Sequence, residues 1–382
     1  MDTLADAGQI ENTHALPESQ AYAATKGTRM DGVARMLASH PFTPHRLFRN
    51  GHAQTLVAHK WPRRRRLGED ARTSEPRLFE VESNVRLLAQ CRWHEARHER
   101  PTLVLVHGLE GSTFSPYMLG TAQKAFRAGL NVVALNMRNC GGTEHLAHTL
   151  YHSGMSGDMH AVVRELIERD GLTRLCVTGF SMGGNIVLKF AGELGADAPP
   201  QLLGVCAVSP SLDLSACADA IERRTNRLYQ RAFVRSLRRR ILGKQKMYPH
   251  IYDTSRLHTV RTVRDFDNLY TAVHGGFKDA EDYYERVSAL RFISRISVPT
   301  LVIHAQDDPI IPFASFSDAA ITGNPQVVML APRHGGHVGF VADNSGVGED
   351  RFWAENRIVE FFNLVADLQD DGQAVDEDVR AR

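Results

Sequence analysis

"CVTGFSMGGNIV", residues 176–187, sets one serine between glycines at the junction of two patterns. The residues before Ser181 are β-branched and apolar, as in a strand, and those from Met182 onward open a helix. "GFSMG" (179–183) fits the G-x-S-x-G turn, a sharp reversal that strains the serine backbone and pushes its hydroxyl out of the fold. A side chain at Gly179 or Gly183 would meet the neighbouring strand or helix. The new helix aims its first N–H groups at the same spot. The stretch therefore predicts an exposed nucleophile at the carboxyl end of a parallel strand, where such sheets place their ligands.

The flanking chain repeats the alternation. "TLVLVHGLEG" (102–111), "LNVVALNMR" (130–138), "TRLCVTGF" and "LLGVCAVSP" (202–210) are continuous apolar runs, as buried parallel strands are. Between them lie helical patterns at "SPYMLGTAQKAFRAG", with Ser115 at an N-cap and Pro116 in the first turn, and at "SGDMHAVVRELIERDG" (156–171), with Asp158 as a cap. Strand and helix in strict alternation predict an α/β fold, a mostly parallel central sheet with helices on both faces. A hairpin around Ser83-Asn84 precedes it. The pattern breaks at Pro210 and resumes at "VPTLVIHAQDDP" (298–309), so the helical, charge-rich interval 211–290 is an insertion and not a second sheet. The expected organisation is a disordered arm over 1–40, a wrapping segment over 41–76, core over 77–210, helical lid over 211–290, core again over 291–368, and a disordered tail over 369–382.

A serine hydroxyl needs a base to take its proton, and the base needs an orienting acid. Both are expected after later strands, in the order serine, acid, histidine. In "LVIHAQDDPIIP" the strand is followed by two aspartates; Asp308, before Pro309, is the expected acid, with Asp307 the alternative. In "VMLAPRHGGHVGF" the next strand is followed by histidines beside glycines; His337 is the expected base and His334 a structural hydrogen-bonding residue. The charge of a tetrahedral intermediate calls for two N–H donors, assigned to the backbone of Met182 and, in "HGLEGS", of Leu109.

These motifs together, with "RNGHAQTL" (49–56) and "NMRNCGGTEHLAHTLYHSGMSGD" (136–158), resemble the α/β-hydrolase superfamily, in its YheT-like branch, from about Pro41 to about Leu368. The resemblance implies serine carboxylester hydrolysis of short- to medium-chain acyl esters through Ser181, Asp308 and His337. It also implies relatives that pass the acyl group to an alcohol. An acyltransferase on the same fold, or a non-catalytic lipid-binding scaffold, are the other readings. No cofactor and no metal are called for.

The remaining features bound the partners. Net charge is +1, so no global field favours nucleic acid or membrane. The first twenty residues lack a basic and an apolar stretch of secretory type, and five cysteines form no C-x-x-C pair, which together predict a soluble, cytoplasmic protein. His145, His148 and His152 match no metal-ligand spacing and are read as pocket-lining. Arg63 to Arg66 read as a solvated loop. In "IERRTNRLYQRAFVRSLRRRILGKQK" (221–246), Tyr229, Phe233, Leu237 and Ile241 form an apolar stripe among arginines. That is a lid helix over the site, open to a second role of peripheral contact with an anionic lipid surface. The expected ligand is a small-molecule ester, amphiphilic or lipid; the oligomeric state is not legible.

Overall fold

The structure, a computed structural model, describes residues 21–23, 29–61, 73–343 and 348–380. Its strands are β1 (Ala21–Ala23), β2 (Glu75–Glu82), β3 (Val85–Arg92), β4 (Thr102–Val106), β5 (Asn131–Leu135), β6 (Leu175–Phe180), β7 (Leu202–Val208), β8 (Thr300–Ile303) and β9 (Val327–Leu330). They form one sheet in the order β1-β9-β8-β7-β6-β4-β5-β3-β2. The six strands β4 to β9 run parallel. The strands β1, β2 and β3 add antiparallel edges. Asn84 closes the β2–β3 hairpin at φ 60°, a left-handed value that asparagine tolerates.

The longer helices are α1 (Arg29–Ala38), α2 (Gly51–Lys60), α3 (Pro116–Arg127), α4 (Ser156–Glu168), α5 (Met182–Leu194), α6 (Leu214–Glu222), α7 (Arg227–Met247), α8 (Ala280–Val287) and α9 (Trp353–Arg380). Period-two alternation sends Leu103 and Leu105 to one face of the sheet, with Met118 of α3 and Ile358 and Phe361 of α9. Val104 and Val106 face the other side, with Val162 of α4 and Ile186 and Phe190 of α5. Both faces are covered, which is why the strand sequences are apolar throughout. Each such side chain contributes about 1.5–3 kcal/mol on burial.

The chain departs from the sequence expectation in three places. Within the supposed arm of residues 1–40, Ala21–Ala23 pair with β9, and α1 buries Met30, Val33, Ala34 and Leu37, a stripe at helical spacing. In the supposed tail 369–382, α9 continues through Arg380. Asp158 does not cap α4: it sits in the first turn and accepts from Nε and Nη2 of Arg138, at 2.9 and 2.5 Å. A buried guanidinium is a stronger claimant for that carboxylate than a backbone N–H.

β7 pairs directly with β8. The 91 residues between them hold α6, α7, a helical stretch over 263–275 and α8, and no strand. Arg63 to Arg66 lie outside the described residues.

Candidate active site

β6 delivers Ser181 to its end at φ 54°, ψ −118°, a conformation that costs about 1–3 kcal/mol and must be imposed by its surroundings. The imposition is visible. A Cβ on Gly179 would lie 2.1 Å from the Gly183 carbonyl oxygen, and one on Gly183 would lie 2.5 Å from the carbonyls of Val106 and His107. The Ser181 N–H is held by the Val208 carbonyl at 2.9 Å. Asn185, buried one turn into α5, donates to the carbonyls of Ser153 and Val287 and accepts from the Ala289 N–H. It thereby fastens the end of the insertion to the serine-bearing helix.

The loops after β8 and β9 bring the other two groups in. His337 Nε2 lies 2.9 Å from Ser181 Oγ, and His337 Nδ1 lies 2.8 Å from Asp308 Oδ2. Asp308 has no exposed side-chain surface, and its Oδ1 accepts the N–H groups of Ile310 and Ile311 at 2.8 and 2.9 Å. Burial alone would raise its pKa. The charge and hydrogen bond of His337, the nearby His304 and the Ile311 N–H outweigh burial and hold the carboxyl below the usual value. His304, wholly buried and stacked 3.7 Å from Phe316, is pushed down to about 4 mainly by burial, so it is neutral at physiological pH.

Asp307 and His334 serve this loop differently. Asp307 Oδ1 accepts the Gly336 N–H at 2.9 Å and Oδ2 lies 3.3 Å from His334 Nδ1, away from Ser181. Behind them stands α2. A Cβ on Gly51 would lie 2.0 Å from the Asp307 carbonyl, one on Gly336 2.2 Å from the Gly51 carbonyl. Thr55 Oγ1 accepts the His337 N–H at 2.9 Å, while Gln54 brackets Val341, accepting its N–H and donating to its carbonyl. These α2 residues were not singled out individually in the sequence, although "RNGHAQTL" contains them.

On the opposite side is the loop after β4. The buried His107 ring lies 2.8 Å from the Gly108 carbonyl through Nδ1 and accepts the Met137 N–H at Nε2. The Gly111 N–H donates to the same Gly108 carbonyl. In a trans peptide the N–H opposes the C=O, so the Leu109 N–H is turned away from these partners. Neither it nor the Met182 N–H, in the first turn of α5, donates to a protein acceptor among the described residues. Both residues line the cavity that Ser181 opens into. Glu110 follows at φ 57°, with its carboxylate bound by Tyr151 (2.7 Å), Ser236 (2.5 Å) and Arg240 (2.6 Å), the last two from α7. Burial opposes its charge, but Arg240 and these hydrogen bonds overcome it and lower the pKa.

Two hollows meet at Ser181. An apolar cavity of about 100 Å³ runs under α7, walled by Leu150, Phe233, Leu237, Ile310 and Ile311, with His152 and Asp267 among its polar lining. A wider cleft of about 680 Å³ opens on the other side, past Thr55, Phe114 and Tyr229. The apolar stripe of α7 thus faces the site. No group of three or more His, Cys, Asp or Glu side chains among the described residues could hold a metal ion.

Residues 101–344, more than half of the chain, match the family model described as alpha/beta hydrolase fold. "Putative esterase YheT" of Escherichia coli is 33% identical over 84% of this chain and 92% of its own length. A monoacylglycerol lipase of Saccharomyces cerevisiae is 30% identical over 70% of this chain and 60% of its own. Among solved structures, the Pyrococcus furiosus esterase Pf2001 superposes with a TM-score of 0.50 at 16% identity, covering 77% of this chain and 94% of that one, a likeness of fold alone. The chain belongs to the α/β-hydrolase family, and within it is a YheT-like carboxylic ester hydrolase. No described helix is long and apolar enough to cross a membrane.

Proposed function

We propose that the chain hydrolyses short- to medium-chain acyl esters with Ser181 as nucleophile, His337 as general base and acid, and Asp308 as the orienting carboxylate. The observation that carries this reading is the unbroken run from Asp308 through His337 to Ser181 Oγ, 2.8 and then 2.9 Å, ending beside an apolar cavity. Ser181 Oγ attacks the ester carbonyl carbon as its proton passes to His337 Nε2. The developing oxyanion accepts from the Leu109 and Met182 N–H groups, each worth roughly 3 kcal/mol of barrier. The intermediate collapses by breaking the C–O bond to the alcohol, which leaves with the proton from His337. Water, deprotonated by the same imidazole, attacks the acyl-enzyme and releases the acid. Asp308 stays ionised throughout and fixes the Nδ1–H tautomer.

The apolar walls of the narrow cavity suit an acyl chain, and its small volume favours short and medium lengths. Five free, buried cysteines agree with a reducing, cytoplasmic setting. The test is a series of p-nitrophenyl esters of rising chain length together with a fluorophosphonate probe. Initial rates should peak at short or medium acyl chains, and Ser181→Ala should abolish both turnover and labelling. Full labelling of that variant would overturn the assignment.

A further inference from the structure

The outer face of α7 carries a feature the hydrolytic reading does not use. Arg227, Arg231, Arg235 and Arg239 recur every four residues, and Arg238 and Arg261 join them around a groove of about 900 Å³ floored by Val234, Leu242 and Val260. Arg227, Arg231, Arg235 and Arg239 are exposed, and none of the six guanidinium groups pairs with a carboxylate among the described residues. Two arginines nearby do find acids: Arg264 takes Asp219, Glu222 and Glu281, and Arg240, on the inner side of α7, takes Glu110. Like charges four apart on a helix repel, so this arrangement opposes the helix it stands on. Bound anions would relieve it.

Aliphatic side chains are interspersed with the charges. Leu228 is 75% exposed, and Leu242, Met247 and Ile251 are each exposed as well. A helix with arginines flanked by projecting aliphatic groups suits the boundary between phosphate headgroups and acyl chains. Guanidinium forks match phosphate oxygens two at a time. Nucleic acid is the poorer fit. Tyr229, Phe233 and Tyr248 of this segment are all turned at least partly inward, so no Phe, Tyr or Trp ring of 227–251 offers an exposed platform for stacking bases.

We infer that the arginine groove on the outer face of α7 docks the protein on an anionic phospholipid surface. The inference rests on the ester-hydrolase reading only in its consequence: the inner face of the same helix, through Phe233 and Leu237, walls the cavity at Ser181, so docking would hold that cavity next to a supply of lipid esters. Binding itself needs no catalysis.

The experiment is co-sedimentation of the full chain with phosphatidylcholine vesicles, with and without phosphatidylglycerol, across a range of ionic strength. The wild type should bind the phosphatidylglycerol vesicles and ignore the neutral ones, with binding that weakens as salt rises. Replacing Arg231→Gln, Arg235→Gln and Arg239→Gln together should weaken that partitioning by roughly two orders of magnitude. The same variant should hydrolyse a soluble p-nitrophenyl ester at the wild-type rate. Ser181→Ala should bind vesicles like the wild type, which keeps failure of docking apart from failure of the hydrolytic assignment. Wild-type protein that ignores phosphatidylglycerol, salt-insensitive binding, undiminished binding by a folded triple variant, or tighter binding to heparin than to the vesicles would each overturn the inference. Circular dichroism checks the fold of the variant, and the wild-type salt series decides the matter if it unfolds.

Discussion

The loop that carries His337 is clamped by the chain's own scaffold, whereas the loop that carries Leu109 leans on the helical insertion. On the first side, α2 lies so close to the turn that a Cβ on Gly51 or Gly336 would come within 2.0–2.2 Å of a backbone carbonyl, and the bonds that Gln54 and Thr55 of α2 make to the turn all go to backbone groups. On the second, the tie runs through a buried ion pair, Glu110 with Arg240, both about nine-tenths buried. Close-packed backbone has one arrangement, while an ion pair held between a loop and a separate helix has two: made and broken. In the mechanism proposed above, the proton-transfer side is therefore fixed by the fold, and the oxyanion side is conditional on where α7 sits.

The largest effect should come from the fixed side. Asp308→Asn keeps the shape but presents an amide to His337 Nδ1, favouring the wrong tautomer; kcat should fall about 10⁴-fold with KM little changed. Steady-state kinetics on a soluble ester measures it. A loss below tenfold would mean that the scaffold alone orients the imidazole.

The insertion side should respond to pH in a way the core does not. Asp267 lies in the cavity wall, bonded to Tyr284 at 2.7 Å, and burial pushes its carboxyl up from 3.8 to about 6. Between those values the folded chain holds the proton more tightly than the unfolded one, so its contribution to stability falls as pH rises and is gone above 6. The cost at neutral pH is on the order of 3 kcal/mol. Asp267→Asn, which still offers an oxygen to Tyr284, should match the wild type in acid and exceed it by about that amount at neutral pH. Urea unfolding at both pH values tests this, and a difference independent of pH would refute it. Glu110 has the opposite sign: its lowered pKa contributes stability above 4.5 that is lost as pH falls below.

A smaller catalytic effect should expose the conditional tie directly. Removing one member of a buried ion pair strands the other, so Glu110→Gln and Arg240→Met are best made together, where stability should be nearly unchanged. With the loop released, the Leu109 N–H loses its fixed aim, and kcat should fall about ten- to hundredfold, short of the 10²–10³ for losing an oxyanion donor outright. The split between kcat and KM distinguishes positioning from acyl-chain binding: a change confined to KM would assign the pair to the pocket wall.

The unequal visibility of the two sides in the sequence follows from the same difference. Ser181, Asp308 and His337 each follow a strand, in a turn or loop marked by an apolar run meeting glycine or proline, so local pattern and chain order singled them out as candidates. The Leu109 loop was legible for the same reason. Its tether was not: Glu110 and Arg240 are 130 residues apart, and each alone reads as an exposed charge. Thr55 and His337 are separated by 282, and a threonine in a polar helix carries no mark of a distant N–H. The helix α1 is another case, since Met30, Val33, Ala34 and Leu37 show the helical stripe plainly but lie within a stretch whose overall polarity suggested an arm. The end of α9 gave no signal, because residues 369–380 are acidic and polar with no apolar period.

The smallest effect tests how rigid the clamped side is. Thr55 Oγ1 accepts the His337 N–H and donates to the Gly51 carbonyl at 2.7 Å, linking the imidazole-bearing loop to α2 through a single hydroxyl. Thr55→Val keeps the shape and removes both bonds, leaving a partly buried N–H unsatisfied at a cost of about 1 kcal/mol. If glycine packing and the Gln54 bonds already hold the loop, kcat should drop only about two- to threefold, because the imidazole barely moves, while thermal unfolding shifts down by a few degrees. Thr55→Ser, which restores the hydroxyl, should recover both. A loss in Thr55→Val as large as that in the Glu110→Gln/Arg240→Met variant would show that the two sides of Ser181 are equally conditional, and the contrast drawn between them would fail.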